Sequence, residues 1–317
     1  MRLIKMQYDL APIALSTYSR LGHLKQTVAA LQKNIRAEES ELYIFSDAPK
    51  LGDEEKVQEV RDYIHTIDGF KKVYIFERKD NNRVANNRGG IRMLLEKYGK
   101  IIFIEEDVVT APFFLNYMND ALRMYENDDR VLAITGYAPP VKYPDDYEYE
   151  IALGKRSFFW SFAIWKKEFD EIYMSITMKD YWKIRLNPYL SYQYKKAGED
   201  VIPQLRHIAN GMVEALDIRA DYTMFQLKKF ILHPRYSMIQ NKGLDGSGEH
   251  WTISTDKFDV AMGKRGIDVQ PSVVVRDDLL TIFATMHQMN FKQIFTLYLE
   301  DIHLYKTFVW LKSKCGF

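Results

Sequence analysis

The sequence predicts an α/β protein built on a mostly parallel central sheet with flanking helices. Three observations lead there. Short apolar runs alternate with amphipathic segments through the first half of the chain, the pattern of a sheet covered by helices on both faces. Hydrophobic residues are 47% of 317, enough to bury a large core without disulfides or metals as staples. No repeat, low-complexity tract or long polar linker interrupts the pattern, so a main domain over 1–280 and a helical tail over 281–317 describe the chain better than two separate domains.

Each element follows from spacing and punctuation. Residues 12–17 (PIALST) read as a buried strand, and Leu21, Leu24, Val28 and Leu31 recur at helical spacing. Residues 41–46 (ELYIFS) form the second strand; after the turn-like DAPKLGD, Val57, Val60, Ile64 and Ile67 mark a second amphipathic helix. A third strand is expected at 72–76 (KVYIF) and the core of a third helix at 91–98, closed by Gly99 as C-cap. The run 101–104 (IIFI) is continuously apolar, as a central strand buried on both faces requires. Glu105, Glu106 and Asp107 follow it at once. The next helix starts near Pro112, a favoured first-turn residue, and 131–135 supplies a fifth strand.

Composition excludes several classes of function. Lysine plus arginine (44) nearly cancel aspartate plus glutamate (43), which removes the positive field of a nucleic-acid-binding protein, and no nucleic-acid partner is expected. Cys315 is the single cysteine, so no intramolecular disulfide and no cysteine-based zinc cluster is expected, which suits a reducing cytoplasm. The opening MRLIKMQYDLAPIALSTY has too short an apolar stretch for a signal peptide or membrane anchor. A cytoplasmic location is expected. The 21 tyrosines are first of all packing residues, with sugar stacking as the alternative.

In open α/β sheets ligands bind at the carboxyl ends of the strands, and Glu105, Glu106 and Asp107 fall there. Three adjacent acids near a protein interior repel one another unless a cation or hydrogen bonds offset the cost. Without clustered cysteine or histidine, the cation of choice is Mg²⁺ or Mn²⁺, shared with phosphate oxygens. The competing explanation is a solvated loop or helix cap. Loops after the other strands bring Ser16 to Arg20, then Asp47, then Asn86, Asn87 and Arg88 to the same side, groups suited to a nucleotide.

These residues also carry a resemblance. IIFIEEDVVTAPFFLNYMNDAL resembles the strand, acidic motif and following helix of GT-A glycosyltransferases of the N-acetylglucosaminyltransferase I type and their bacterial polysaccharide relatives. The family motif is Glu-Asp-Asp where this chain has Glu105-Glu106-Asp107. The resemblance implies that Asp107 is the metal ligand and that Glu106 stands in for the aspartate touching the donor ribose. APIALSTYSR, LYIFSDAP, NNRGGIRMLLEKYG and SFFWSFAIWKKEFDEI match further segments in order, placing Arg20 near the donor, Asp47 near the base and Trp160 near the site floor. DIRADYTMFQLKKFILHPRYSMIQNKGLDGSGEH resembles the family's later helix and glycine-rich loop. Ala220 stands there in place of an aromatic residue and Lys242 in place of an apolar one.

The implied activity is transfer of a sugar from a UDP-linked donor to a hydroxyl of a glycan or lipid-linked acceptor, in surface polysaccharide or glycoconjugate synthesis. Such transfer needs stabilisation of the departing diphosphate and removal of the acceptor proton. Metal at Asp107, with Arg20 or Arg88, serves the first; Arg88 reads equally as a surface charge. Asp217 serves the second, with inversion, against an N-cap as its bland reading and Glu214 as alternative base. The loop around Gly243, Gly246 and Gly248 is either a lid over the donor or a plain surface loop. His250 is a second candidate metal contact.

In the tail, Phe291, Phe295, Tyr298, Ile302, Tyr305 and Val309 repeat at helical spacing. Packing on the domain or a homodimer explains the stripe, and so does peripheral contact with the cytoplasmic membrane face. Two other functions compete with the transferase. A sugar-nucleotide pyrophosphorylase needs a glycine- and arginine-containing loop after the first strand, which TYSRLGH lacks. A non-catalytic carbohydrate-binding or scaffolding protein with the same shell stays open.

Overall fold

The computed structural model describes residues 9–246, 255–305, 307 and 309–310. The first half of the chain winds as β1 (Ile13–Thr17), α1 (Leu21–Gln32), β2 (Glu41–Ser46), α2 (Glu54–Ile64), β3 (Lys72–Glu77), α3 (Arg83–Tyr98), β4 (Lys100–Glu105), β5 (Val108–Thr110), α4 (Phe114–Met124) and β6 (Val131–Thr135). The second half adds β7 (Ile151–Gly154), β8 (Ser161–Trp165), α5 (Lys166–Ile172), α6 (Met178–Leu186), α7 (Pro188–Tyr194), α8 (Val201–Ala209), α9 (Leu216–Leu227), β9 (Phe230–Pro234), β10 (Ile239–Asn241), α10 (Asp277–Thr285) and α11 (Phe291–Asp301).

Eight strands form one sheet in the order β3-β2-β1-β4-β8-β6-β9-β7. Parallel pairing joins β3, β2, β1 and β4 and also joins β6 to β9, whereas β8 and the edge strand β7 run against their neighbours. The expected mixed α/β fold with a mostly parallel sheet is therefore the observed one. In β4 the residues alternate between two layers: Ile102 and Ile104 enter the core on one face, Ile101 and Phe103 that on the other. None is more than 3% exposed, and burying each such side chain contributes roughly 1.5–3 kcal/mol.

The helices start and stop for local reasons. Leu24, Val28 and Leu31 form the buried face of α1, as their spacing predicts. The third helix begins eight residues before the expected 91, because Asn82 caps it by accepting from the Ala85 amide. It ends where Gly99 takes φ 74°, a left-handed C-cap. Two expectations are corrected in the tail. The boundary at 280 and 281 falls inside α10, whose Leu279 and Phe283 pack with Tyr147 and Ala152. The apolar stripe from 291 to 309 is not one helix either: α11 ends at Asp301 and His303 adopts φ 60°.

Candidate functional site

Winding β1, β2 and β3 outward and then returning to place β4 on the other side of β1 makes a topological switch point between β1 and β4. A crevice opens beyond the carboxyl ends of such a pair, and ligands of open α/β sheets bind there. Ser16 of β1 pairs with Glu105 of β4, so the acidic run leaves the sheet at that crevice.

The three acids take different surroundings. Glu106 is buried, and one carboxylate oxygen, Oε2, accepts from Thr17 Oγ1 (2.8 Å) and from the Tyr18 amide. Its other oxygen accepts from Arg20 Nε at 2.9 Å. Through these contacts the side chain ties down the β1–α1 loop. Asp107, also buried, accepts from Arg20 Nη2 at 2.6 Å through Oδ2. Burial opposes the charge of Arg20, but Asp107 and Glu106 more than offset it and hold the guanidinium's pKa above its ordinary value. Glu105 is half-buried. Desolvation first, then the neighbouring Asp107 charge, push its pKa up to about 8, against the pull of Arg83 and Arg20.

Two polar atoms at this point are buried without a hydrogen-bond partner among the described residues, Asp107 Oδ1 and Arg20 Nη1. Orphaned buried groups are uncommon and costly, and here an acceptor and a donor lie on the two sides of one ion pair. Among the described residues no three His, Cys, Asp or Glu side chains converge on a metal position. A hard divalent ion that takes one carboxylate oxygen and completes its shell with phosphate oxygens and water fits this donor set; an all-protein cage does not.

Segment 242–245 covers the cluster. The Lys242 amide donates to the Asp107 carbonyl (2.7 Å), and His23 lies 3.3 Å from the Lys242 carbonyl and 3.2 Å from Asp245. Gly243 packs so close that a Cβ there would lie 1.9 Å from Asp107 Oδ2. Gly246 takes φ 90°, a conformation that favours glycine. His250 and Gly248 lie outside the described residues.

The other expected residues divide between the site and its supports. Ser16 donates to Asn87 Oδ1 at 2.5 Å, bridging β1 to α3 beside Glu105, while the Asn86 amide holds the Phe45 carbonyl. Trp160 accepts the Glu105 amide through its carbonyl (3.2 Å) and sets its ring edge-on to Tyr137. Asp47 is buried, and its oxygens accept from the Ala48 and Asn82 amides and from Asn81 Nδ2. It braces the β3–α3 loop. Arg88 stacks 3.8 Å from the centre of the Tyr173 ring, and the α3 arginine whose charge acts on Glu105 is Arg83.

Asp217 is exposed at the second position of α9, and Ala215 is the N-cap, so the cap reading does not apply. Its Oδ1 accepts from the Ile218 amide. Glu214 is held by both ends of Arg219, at 2.7 and 2.8 Å, and so is committed elsewhere. One turn along α9, Asp221 is buried and takes the Ser157 amide and hydroxyl at 2.8 and 2.7 Å. Burial drives its pKa up to about 7, although Arg156 and Ser157 pull it down. Arg156 is itself gripped by Asp200 at 2.9 and 3.0 Å. Burial raises the Asp200 pKa, and the His287 and Arg156 contacts outweigh it, leaving it below the usual value. This network fixes the β7–β8 loop that ends in Trp160 against the helix that carries Asp217.

No family model matches the chain, and no curated protein matches it either. Solved structures similar to it include S. aureus TarS, with 8% identity over 81% of this chain and 41% of that one, at a TM-score of 0.41. TarS 1-349 gives 10% identity over 75% and 62% at 0.37, and its complex with UDP-GlcNAc gives 14% over 45% and 39% at 0.30. This chain spans less than two thirds of the length of each of these, and at such values the likeness is partial.

Proposed function

We propose that this chain is a glycosyltransferase that moves a sugar from a nucleotide-diphosphate donor to a hydroxyl acceptor. The observation that carries the reading is the switch-point crevice, where Asp107 Oδ1 and Arg20 Nη1 are buried and, among the described residues, unpartnered. A diphosphate with a divalent ion supplies what both lack: the ion for the carboxylate oxygen, an anionic oxygen for the guanidinium.

In this reading Arg20 and Arg83 hold the diphosphate and Asp107 holds Mg²⁺ or Mn²⁺, which as a Lewis acid stabilises the leaving group. Asp217 accepts the proton of the attacking hydroxyl. The acceptor oxygen bonds to the anomeric carbon, the carbon–oxygen bond to the diphosphate breaks, and its electron pair leaves with the nucleotide. Attack from the face opposite the leaving group inverts the anomeric configuration. The motif resemblance makes UDP the nucleotide of choice, an N-acetylhexosamine or hexose the sugar, and a glycan or lipid-linked hydroxyl the acceptor.

The test is nucleotide release from a set of UDP- and GDP-sugars with Mn²⁺, with EDTA and Asp107→Ala as controls. Release from one donor, abolished by both controls, is the expected result. Absence of release and of nucleotide binding with every donor would reject the reading in favour of a non-catalytic shell.

A further inference from the structure

We propose that Ser157 is a positioning residue, setting the first turn of α9 against the donor crevice so that Asp217 meets the acceptor hydroxyl. The inference rests on the transferase reading and deepens it. The observation is a proposed base on a helix start that has no cap of its own. Asp217 is exposed, its carboxylate accepts only the Ile218 amide among the described residues, and the N-cap Ala215 makes no side-chain hydrogen bond. An uncapped helix start leaves backbone donors unsatisfied and is less stable than a capped one. A side chain placed there needs its backbone held from outside.

That support comes from the loop between β7 and β8. The Ser157 hydroxyl lies 3.0 Å from the Asp217 carbonyl oxygen and 2.7 Å from Asp221 Oδ1, and the Ser157 amide donates to the same Oδ1 at 2.8 Å. One hydroxyl proton is thus shared between two acceptors one turn apart on α9. Ser157 is buried, and its neighbour Arg156 is gripped by Asp200 at 2.9 and 3.0 Å, which anchors the loop. Arg219 adds another outside contact, to the Met174 carbonyl at 3.2 Å. That one leads to the connection between α5 and α6; Ser157 leads to the donor. Three residues after it, the Trp160 carbonyl accepts the Glu105 amide at 3.2 Å. Three residues of extended chain span at most about 11 Å, so one short tether joins the acidic end of β4 to the turn that carries Asp217. Such a tether fixes the separation of leaving group and base, on which the geometry of attack depends.

The test compares Ser157→Ala, Asp217→Asn and the double variant in nucleotide release from the sugar donor that the wild type uses, with water as acceptor. Ser157→Ala should lower kcat roughly ten- to a hundredfold while donor KM and UDP affinity are kept. The alanine retains the backbone amide that holds Asp221, and matching melting curves check that it folds. In the Asp217→Asn background the same change should cost less than about twofold, since a residue that acts through Asp217 has nothing further to lose there. Hydrogen exchange reads the tether without turnover. The Asp221 amide, whose helical acceptor is the Asp217 carbonyl, should be protected in the wild type and exchange about two- to tenfold faster in Ser157→Ala, the effect of one lost hydrogen bond. An unprotected Asp221 amide in the wild type, an unchanged kcat, an equal loss of UDP affinity, or additive effects in the double variant overturns the proposal. Full activity of Ser157→Ala beside a crippled Asp217→Asn rejects this inference alone. Undiminished Asp217→Asn rejects Asp217 as the base, and no release from any donor rejects the transferase reading; the inference falls with either.

Discussion

Replacing Gly243 with alanine tests whether segment 242–245 is the close-fitting cover of the acidic cluster. The added Cβ would lie 1.9 Å from Asp107 Oδ2, 2.8 Å from its Cγ and 3.0 Å from Arg20 Nη1, against the ~3.5–4.0 Å at which non-bonded carbons rest. Neither side yields easily. Asp107 is buried and held at 2.6 Å by Arg20, and the loop is held by the Lys242 amide on the Asp107 carbonyl and the Gly243 amide on Asn241 Oδ1, both 2.7 Å. The loop must lift or the ion pair must open. Overpacking of this kind costs about 1–3 kcal/mol, which for a chain this large lowers Tm by roughly 2–12 °C at about 2–4 °C per kcal/mol. Calorimetry reads the loss, and titration with UDP and Mn²⁺ should show weakened binding. Gly22→Ala is the control: it lies in α1 with nothing within 4 Å of its Cβ, so it should be neutral or slightly stabilising. A Gly243→Ala protein with unchanged melting and unchanged UDP affinity would refute the close packing on which the site is built.

Arg20→Gln leaves two buried carboxylates without their cation; a destabilisation toward the lower end of ~3–5 kcal/mol is expected, because Arg20 is itself 25% exposed. Denaturant unfolding measures it, and Mn²⁺ should recover part of the loss by binding Asp107. Asp217→Asn should cut the rate of sugar transfer about 10²–10⁴-fold while donor binding is kept; equal loss of both, by kinetics and titration, would make the residue structural. Asp221 has a folded pKa raised to about 7 by burial, so the native state holds a proton that the unfolded chain releases near pH 4. Its contribution is full below pH 4 and is lost as pH rises to 7. Asp221→Asn should remove that fall, and a stability profile of unchanged slope between pH 4 and 7 counts against the burial.

The switch-point crevice was legible in the sequence because it is made by strands. IIFI and PIALST have the length and apolarity of buried strands, and topology then places whatever follows them at one end of the sheet. What went unread was set by partners far away in the chain. β5 and β10 are three residues each and exist because they pair with each other, which no local pattern announces. The first turns of α3, RVANNRGG, bury only Asn86 and Gly90, so apolar spacing finds the helix at 91. For the same reason Arg83, whose charge acts on Glu105, is not singled out by spacing. Arg83 and Arg88 are five positions apart, about 140° around a helix at 3.6 residues per turn, and only one of them can face Glu105. Asp221 was readable in principle, since four positions after Asp217 places it on the same helix face, but its burial depends on Ser157 and Arg156 from another loop.

The acidic run makes sense once the end of the strand is located. Strand β4 stops at Glu105, and Glu106 and Asp107 lie in the turn that leads to β5. Glu106 is the one absorbed by protein donors, from Thr17, Tyr18 and Arg20. After burial itself, the Asp107 charge helps hold the Glu105 pKa up near 8. Arg20 pairs with Glu106 and with one oxygen of Asp107, which keeps adjacent carboxylates tolerable in the fold. Among the described residues it leaves Asp107 Oδ1 without a hydrogen-bond partner. Under the proposed function, that oxygen is where a bound cation and its phosphates would gain the most by arriving.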